Sequence, residues 1–172
     1  MNQLKASAKV FLLLTFIFGS LWLGSYLTKL LLVYQLFQGN EFELKDYIND
    51  INLGAILKTI SAAFSATLIL YPLFILSFGS FLMFSKLNLK KNGWLFIITM
   101  LIVITAPMEI FLLTINYKIS ILSLTSPIPS NEMLSLIIKR MNILGSFSLV
   151  ELLCYLAIVH LIIFKPLHKD TV

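Results

Sequence analysis

Long hydrophobic stretches separated by short polar segments dominate this sequence. Residues 10–28 and 59–85 are uncharged, a third stretch begins near Gly93, and a fourth covers 141–164 with Glu151 as its only charge. A charged side chain at the centre of a membrane helix costs about 2.5 to 3.5 kcal/mol on insertion scales, so such stretches mark the hydrocarbon core. The pattern predicts four membrane-spanning helices at approximately 10–36, 55–85, 93–115 and 141–164.

Composition agrees with the pattern, because 59% of the 172 residues are hydrophobic and only 12% are charged. The mean hydropathy of +0.94 is far above that of soluble domains. Four spans of about 20 residues or more use over half of the chain, which leaves little for a second folding unit. We therefore expect an all-α membrane protein in which residues 1–172 form a single transmembrane domain, a four-transmembrane-helix bundle.

The first stretch also has the form of a secretory signal, with Lys5 and Lys9 ahead of an apolar core. The apolar run continues well past the usual length of such a core, and no clear Ala-x-Ala cleavage site follows it. We expect this helix to be retained.

Orientation is predicted from lysine and arginine near the ends of the spans, which are in excess on the cytoplasmic side. One side of the predicted topology carries Lys5, Lys9, Lys86, Lys90, Lys91, Lys165 and Lys169. The other side has Lys45 and Lys118, or six basic residues if Lys29, Lys58, Lys139 and Arg140 at the edge are counted with it. It also holds the acidic residues Glu41, Glu43, Asp46, Asp50 and Glu132. This bias predicts a cytoplasmic N-terminus and C-terminus, and it accounts for the pI of about 9.4 without a nucleic-acid partner. The Lys-, Asn- and Ile-rich composition favours a bacterial inner (cytoplasmic) membrane.

The connection between the first two spans contains Leu44, Tyr47, Ile48 and Ile51, which follow an i, i+3, i+4, i+7 pattern. Acidic and amide side chains fill the positions between them. This pattern predicts a short amphipathic helix on the outer surface, and its four apolar residues form a candidate interface.

Ionisable residues inside the apolar stretches are the strongest candidates for function. Measured from Trp94 and Lys165 at 1.5 Å per residue, Glu109 and Glu151 lie at similar depths of roughly 22 and 21 Å. Lys29 lies somewhat further out, roughly 30 Å above Lys9 by the same arithmetic, and Arg140 belongs near the outer interface. A polar layer of Glu109, Glu151, Lys29 and Arg140 can form in this outer half. Three interpretations are open: pairing with Lys29, Arg140 or the hydroxyls of Thr105, Thr114 and Ser148; sharing a proton or binding a cation; and pairing with a charge on a partner protein.

Catalytic and cofactor motifs are missing from the sequence. Cys154 is a lone thiol, and His160 has no His, Cys or carboxylate at i±3 or i±4. No glycine-rich phosphate loop or Gly-x-Ser-x-Gly motif occurs. We expect no cofactor and no metal, and a non-enzymatic role is favoured.

The predicted function is that of a non-catalytic accessory or scaffolding subunit of a larger membrane protein complex. Small residues four apart, such as Ser20 and Gly24, allow close helix contact, either within this bundle or with another subunit, which can be a different membrane protein or a second copy of the chain. One alternative is a proton- or cation-coupled transporter or channel component that uses the intramembrane glutamates. Another is a lipid- or quinone-binding membrane module.

Overall fold

The computed structural model describes residues 5–39, 42–89 and 91–166, without the side chains of residues 144–146. The predicted topology markers Glu41, Lys90 and Lys169 lie outside the described residues. The described elements are four long helices and two short strands: α1 (Ala6–Tyr34), β1 (Phe37–Gln38), β2 (Glu43–Leu44), α2 (Asp50–Ser85), α3 (Gly93–Leu122) and α4 (Ser130–Phe164).

The prediction of four membrane-spanning helices is confirmed. All of α1, α2 and α3, and the segment Phe147–Phe164 of α4, are long and apolar enough to cross a membrane. Several bounds differ from the prediction: α1 covers Ala6–Tyr34 in place of 10–36, and α2 begins at Asp50 in place of 55. The third helix continues to Leu122, and α4 begins at Ser130 and runs unbroken for 35 residues, which is roughly 52 Å at 1.5 Å per residue.

The predicted amphipathic helix between the first two spans is wrong. Two antiparallel two-residue strands form there, with Phe37 opposite Leu44, and Tyr47 lies in a turn. Backbone pairing in the hairpin continues with the Lys45 N–H, which donates to the Leu36 carbonyl at 3.0 Å. The backbone of this connection therefore forms hydrogen bonds across the hairpin, in place of the bonds between residues four apart that a helix requires. As a result, the apolar side chains of Leu44, Tyr47, Ile48 and Ile51 do not share one face.

A side-chain cap sets the start of α2. The Asn49 side chain accepts from the backbone N–H groups of Ile51 and Asn52, and the Asn52 side chain accepts from the Asn49 N–H. Such a reciprocal arrangement satisfies donors that the first helical turn leaves free. Ile51 is consequently in the first turn of α2, where it is 94% exposed, whereas Ile48 is buried in the core.

Buried residues recur at alternating spacings of three and four along every helix. In α2 they are Leu53, Leu57, Ile60, Phe64, Thr67, Tyr71, Phe74, Phe78 and Phe81. The same spacing links Trp22, Tyr26, Lys29 and Val33 in α1. This heptad-like period is typical of helices that pack side by side at a small crossing angle. α2 contacts each of the other three helices and is the central element of the bundle.

Two apolar clusters fill most of the interior. The hairpin-end cluster lies next to the β1–β2 hairpin and the connection between α3 and α4, and includes Leu36, Ile48, Phe64 and Met133. The opposite cluster includes Trp22, Phe74, Phe81 and Leu95, and lies towards the connection between α2 and α3. We call that side the lysine end, because its described charged residues are Lys5, Lys9, Lys86, Lys91 and Lys165.

Candidate functional site

The structure brings together the four ionisable residues predicted to form a polar layer. Lys29, Glu109 and Glu151 are 0% exposed, and Arg140 is 5% exposed. They belong to α1, α3 and α4, and each occupies a position of the buried three-four repeat of its helix. We call Lys29, Glu109, Arg140 and Glu151 the polar layer. It lies between the hairpin-end cluster and the opposite cluster.

The Glu109 and Glu151 carboxyl groups face each other within the bundle. None of their four oxygens has a hydrogen-bond partner among the described residues. The positive charge of Lys29 lies near both carboxyl groups, and that of Arg140 lies near the Glu109 carboxyl. Since neither side chain has exposed surface, a charged residue on a partner protein has no direct access to either carboxyl in this structure.

The two cations of the polar layer are packed against aromatic rings. The Lys29 Nζ lies 4.6 Å from the centroid of the Tyr26 ring and 5.8 Å from that of Phe64. The Arg140 Cζ lies 5.9 Å from the centroid of the same Phe64 ring. Lys29 Nζ and two Arg140 nitrogens, Nε and Nη2, have no hydrogen-bond partner among the described residues. Ring faces attract cations but do not replace hydrogen-bond acceptors, so these groups are only partly compensated.

Two of the three hydroxyls predicted as partners for the carboxylates donate their hydrogen bonds to backbone carbonyls instead. The Thr105 hydroxyl donates to the Leu101 carbonyl at 3.0 Å, and the Thr114 hydroxyl donates to the Phe111 carbonyl at 2.7 Å. Thr114 is also on the exposed side of α3. Ser148 is the exception, because its hydroxyl faces the Tyr26 hydroxyl inside the bundle.

An aromatic cluster beside the polar layer was not predicted from the sequence. The Trp22 ring lies 5.2 Å from Tyr26, 5.4 Å from Tyr71 and 4.4 Å from Tyr155, between ring centroids. The Trp22 Nε1 and the three tyrosine hydroxyls are buried without a hydrogen-bond partner among the described residues. The available signal was their spacing: Trp22 and Tyr26 precede Lys29 at heptad positions, and Tyr155 follows Glu151 by four residues.

A second polar contact joins α2 and α3 near the layer. The Asn116 side-chain amide donates to the Thr67 hydroxyl at 3.2 Å, and both residues are fully buried. The sequence analysis did not single out either residue. Interhelical bonds of this kind contribute about 0.6 kcal/mol on average in a membrane.

The remaining candidates take ordinary positions. The His160 ring packs against Phe164 with centroids 4.5 Å apart, and Cys154 is half-buried. Within the described ranges, no group of three or more His, Cys, Asp or Glu residues is placed to hold a metal ion.

Comparisons with known proteins do not supply a function. Protein-family models, curated proteins and solved structures all give no match to this chain. Any functional argument therefore depends on the residues of the bundle themselves.

The arrangement brings together acids, bases and hydroxyls in a medium of low dielectric. Two carboxyls in contact can hold one proton between them, since a carboxyl donates a hydrogen bond only when it is protonated. Two formal positive charges balance two formal negative charges when all four groups are ionised. The polar layer can thus rearrange protons internally without changing its total charge.

Charge balance predicts a strong coupling between Lys29 and Glu109. The single substitution Lys29→Met should destabilise the bundle, because it leaves an excess of negative charge in the interior. Adding Glu109→Gln should recover part of the loss, with a coupling free energy of about 0.5 to 3 kcal/mol. Thermal unfolding of purified protein in detergent measures the effect. Lys118→Met, at an exposed position of α3, is the control; equal losses from Lys29→Met and Lys118→Met would contradict the prediction.

Proposed function

We propose that this protein moves protons within the membrane, as a component of a proton-coupled transporter or channel. The observation that supports this is the fully buried Glu109–Glu151 pair, whose carboxyl groups face each other inside the bundle. Intramembrane carboxyls that face a bundle interior are typical of proton pathways.

A purely structural role explains the contacts less well. A charged cluster that only fixes the arrangement of helices is expected to satisfy its donors and acceptors, since a partly satisfied network is costly in a low dielectric. Here Lys29 Nζ and the carboxyl oxygens of Glu109 and Glu151 are without hydrogen-bond partners. The arrangement fits a site that exchanges protons better than it fits a fixed brace.

The proton is the favoured species among cations. Lys29 and Arg140 already place two positive charges in the layer, so a metal cation would be repelled at close range. Two open depressions on the described surface are lined by other residues: one lies near the start of α4 and the other between α1 and α2. A proton needs no volume of its own, whereas a hydrated ion does.

Removing both carboxyls should abolish proton movement. In liposomes containing the purified protein, we expect a potassium diffusion potential to drive proton uptake, reported by an enclosed pH-sensitive dye. The double variant Glu109→Gln with Glu151→Gln should reduce this flux by about a hundredfold, the scale of a lost proton-transfer group.

The matched control for this flux experiment is Glu132→Gln, because Glu132 is an exposed carboxylate in the first turn of α4. It should leave the flux unchanged. Flux that persists in the double variant, or wild-type protein without flux above empty liposomes, would count against the proposal.

A second candidate function is membership of a larger membrane protein complex as an accessory or scaffolding subunit. The observation that favours it is an open depression of about 520 Å³ between α1 and α2. Small or hydroxyl-bearing residues line most of it: Ser20, Gly24, Ser25, Thr28, Thr59, Ala62 and Ala63. A Cβ atom added at Gly24 would meet nothing within 4 Å. Such a surface suits a transmembrane helix of another protein, whose backbone can approach closely.

Filling this depression should prevent the partner helix from binding. Gly24→Leu places a large side chain in the groove, whereas Gly79→Leu adds the same side chain at a position where a Cβ also meets nothing within 4 Å. Proximity crosslinking in native membranes, followed by mild-detergent purification, should show a crosslinked partner that Gly24→Leu loses and Gly79→Leu keeps. Identical crosslinking patterns for both variants would show that the partner does not bind in this groove. A crosslink to a second copy of the chain would show that the groove binds another copy of this protein and not a different partner.

We also propose that the lysine end faces the cytoplasm and that the membrane is a bacterial inner membrane. Support comes from charge: the described charged residues at this end are all lysines, whereas at the hairpin end Lys45, Lys118 and Lys139 are accompanied by the acidic residues Glu43, Asp46, Asp50 and Glu132. Lysine is enriched on the cytoplasmic side of short loops.

Cysteine accessibility tests this orientation. In a Cys154→Ser background, Glu43→Cys should react with a membrane-impermeant maleimide in spheroplasts, because Glu43 is exposed at the hairpin end. Lys91→Cys, exposed at the lysine end, should react only after the membrane is opened. The reverse labelling pattern would invert the topology.

A further inference from the structure

The exposed side chains of α4 change from polar to apolar partway along the helix. In 130–142 they belong to Asn131, Glu132, Ser135, Lys139 and Asn142. In 143–164, every exposed side chain that the structure describes is apolar, except that of His160. Lipid tails do not solvate charged or strongly polar groups, so polar surface marks water and apolar surface marks hydrocarbon. α4 therefore leaves the hydrocarbon near Asn142.

α2 shows the same change near its start. In 63–85 its exposed residues are all apolar, beginning with Ile69. In 50–62 the exposed residues include Asp50, Lys58 and Thr59, and Ile51 is the one large apolar residue among them. A single exposed apolar side chain is ordinary on a surface that faces water. The hydrocarbon therefore begins after Thr59, and the first turns of α2 lie beyond it.

α3 and α1 indicate the same boundary. The exposed residues of α3 are apolar as far as Phe111, and Thr114, Tyr117 and Lys118 follow them. Tyr34, the last residue of α1, is exposed like Tyr117. Tyrosine is enriched where a membrane meets water, because its ring is apolar and its hydroxyl is polar. The two exposed tyrosines therefore indicate where the hairpin end of the bundle leaves the bilayer.

One exposed lysine lies at this boundary on each of α2, α3 and α4. We call Lys58, Lys118 and Lys139 the boundary lysines. Measured from the lysine end of its own helix at 1.5 Å per residue, each lies roughly 38 to 41 Å along the helix. A bilayer with its headgroup regions is about 40 to 45 Å thick. When the lysine end lies at one headgroup region, the boundary lysines are level with the phosphates of the other.

The boundary lysines have no counter-charge within the described chain. None of their three amines has an ion pair or a hydrogen bond with the described residues. The exposed acidic residues of the hairpin end lie beyond them, in or next to the hairpin or in the first turns of α2 and α4: Glu43, Asp46, Asp50 and Glu132. A layer of phosphate groups attracts cations at its own level and repels carboxylates. The order of charges along the bundle is complementary to such a layer.

We propose that Lys58, Lys118 and Lys139 bind the phosphate groups of phospholipids at the hairpin-end surface of the bilayer, and that the described residues beyond them lie outside the membrane. A lysine stem can lie along apolar helix surface while its amine reaches the headgroups. The hairpin and the first turns of α2 and α4 then form a cap in water over the polar layer. This inference does not depend on proton movement.

Solid-state NMR of the full chain tests the contact between amine and phosphate. The lysine amines carry ¹⁵N, and the protein is in phosphatidylglycerol vesicles in a phosphate-free buffer, so that lipid supplies the ³¹P. Subtracting the spectrum of the triple variant Lys58→Gln, Lys118→Gln, Lys139→Gln from that of wild type isolates the signal of the three amines. We expect ³¹P to dephase this signal. A signal that ³¹P does not dephase would overturn the proposal.

The matched control is the Lys29 amine, which is buried inside the bundle where a lipid phosphate cannot reach it. The double variant Lys29→Met with Glu109→Gln removes this amine together with one negative charge, and its difference signal should not be dephased. Equal dephasing of the Lys29 amine and the boundary lysines would overturn the proposal. If the triple variant does not fold, the three single variants each isolate one exposed amine and give the same decision.

Cysteine reactivity on either side of Lys139 tests the position of the boundary itself. Ser135 and Leu149 are both exposed on α4 and differ in which side of the boundary they occupy. In a Cys154→Ser background and in opened vesicles, Ser135→Cys should react with a hydrophilic maleimide at least about tenfold faster than Leu149→Cys, because the reaction requires a thiolate, which hydrocarbon disfavours. Equal reaction rates would overturn the placement of the cap outside the membrane.

Discussion

The cost of placing charge in hydrocarbon is the constraint on which this bundle depends. Lipid cannot solvate Lys29, Glu109, Arg140 or Glu151, and a single uncompensated charge there would oppose insertion by several kcal/mol. The helices place all four side chains in their shared interior, where opposite charges balance. Their lipid-facing surfaces are correspondingly apolar, with exposed residues such as Leu31, Ile69 and Ile163.

The regular spacing of buried residues makes this gathering possible. Because each helix buries positions three and four apart, one ionisable residue can replace an apolar one without changing the path of the backbone. The apolar clusters on either side then separate the layer from both membrane surfaces. A polar interior closed at both ends is stable in a membrane only if its charges balance.

Depth arithmetic on the sequence placed Glu109 and Glu151 at similar depths, but it could not show that they face each other. Depth along a helix follows from residue number, whereas direction around the helix depends on which neighbour each face meets. The aromatic cluster around Trp22 was missed for the same reason: tryptophan and tyrosine are common at membrane interfaces, and only packing shows that these are buried. Thr105 and Thr114 were plausible partners by depth, yet their hydroxyls are taken by their own backbone.

The sequence by itself determined the four apolar helices and the depths of the ionisable residues, because transfer of charge into lipid is a property of each residue alone. Tertiary structure decided how those residues meet. It also decided the backbone conformation of Leu44, Tyr47, Ile48 and Ile51, whose spacing wrongly predicted a helix. Their backbone is used by a hairpin and by the Asn49 cap of α2, and these depend on contacts that a local pattern does not contain.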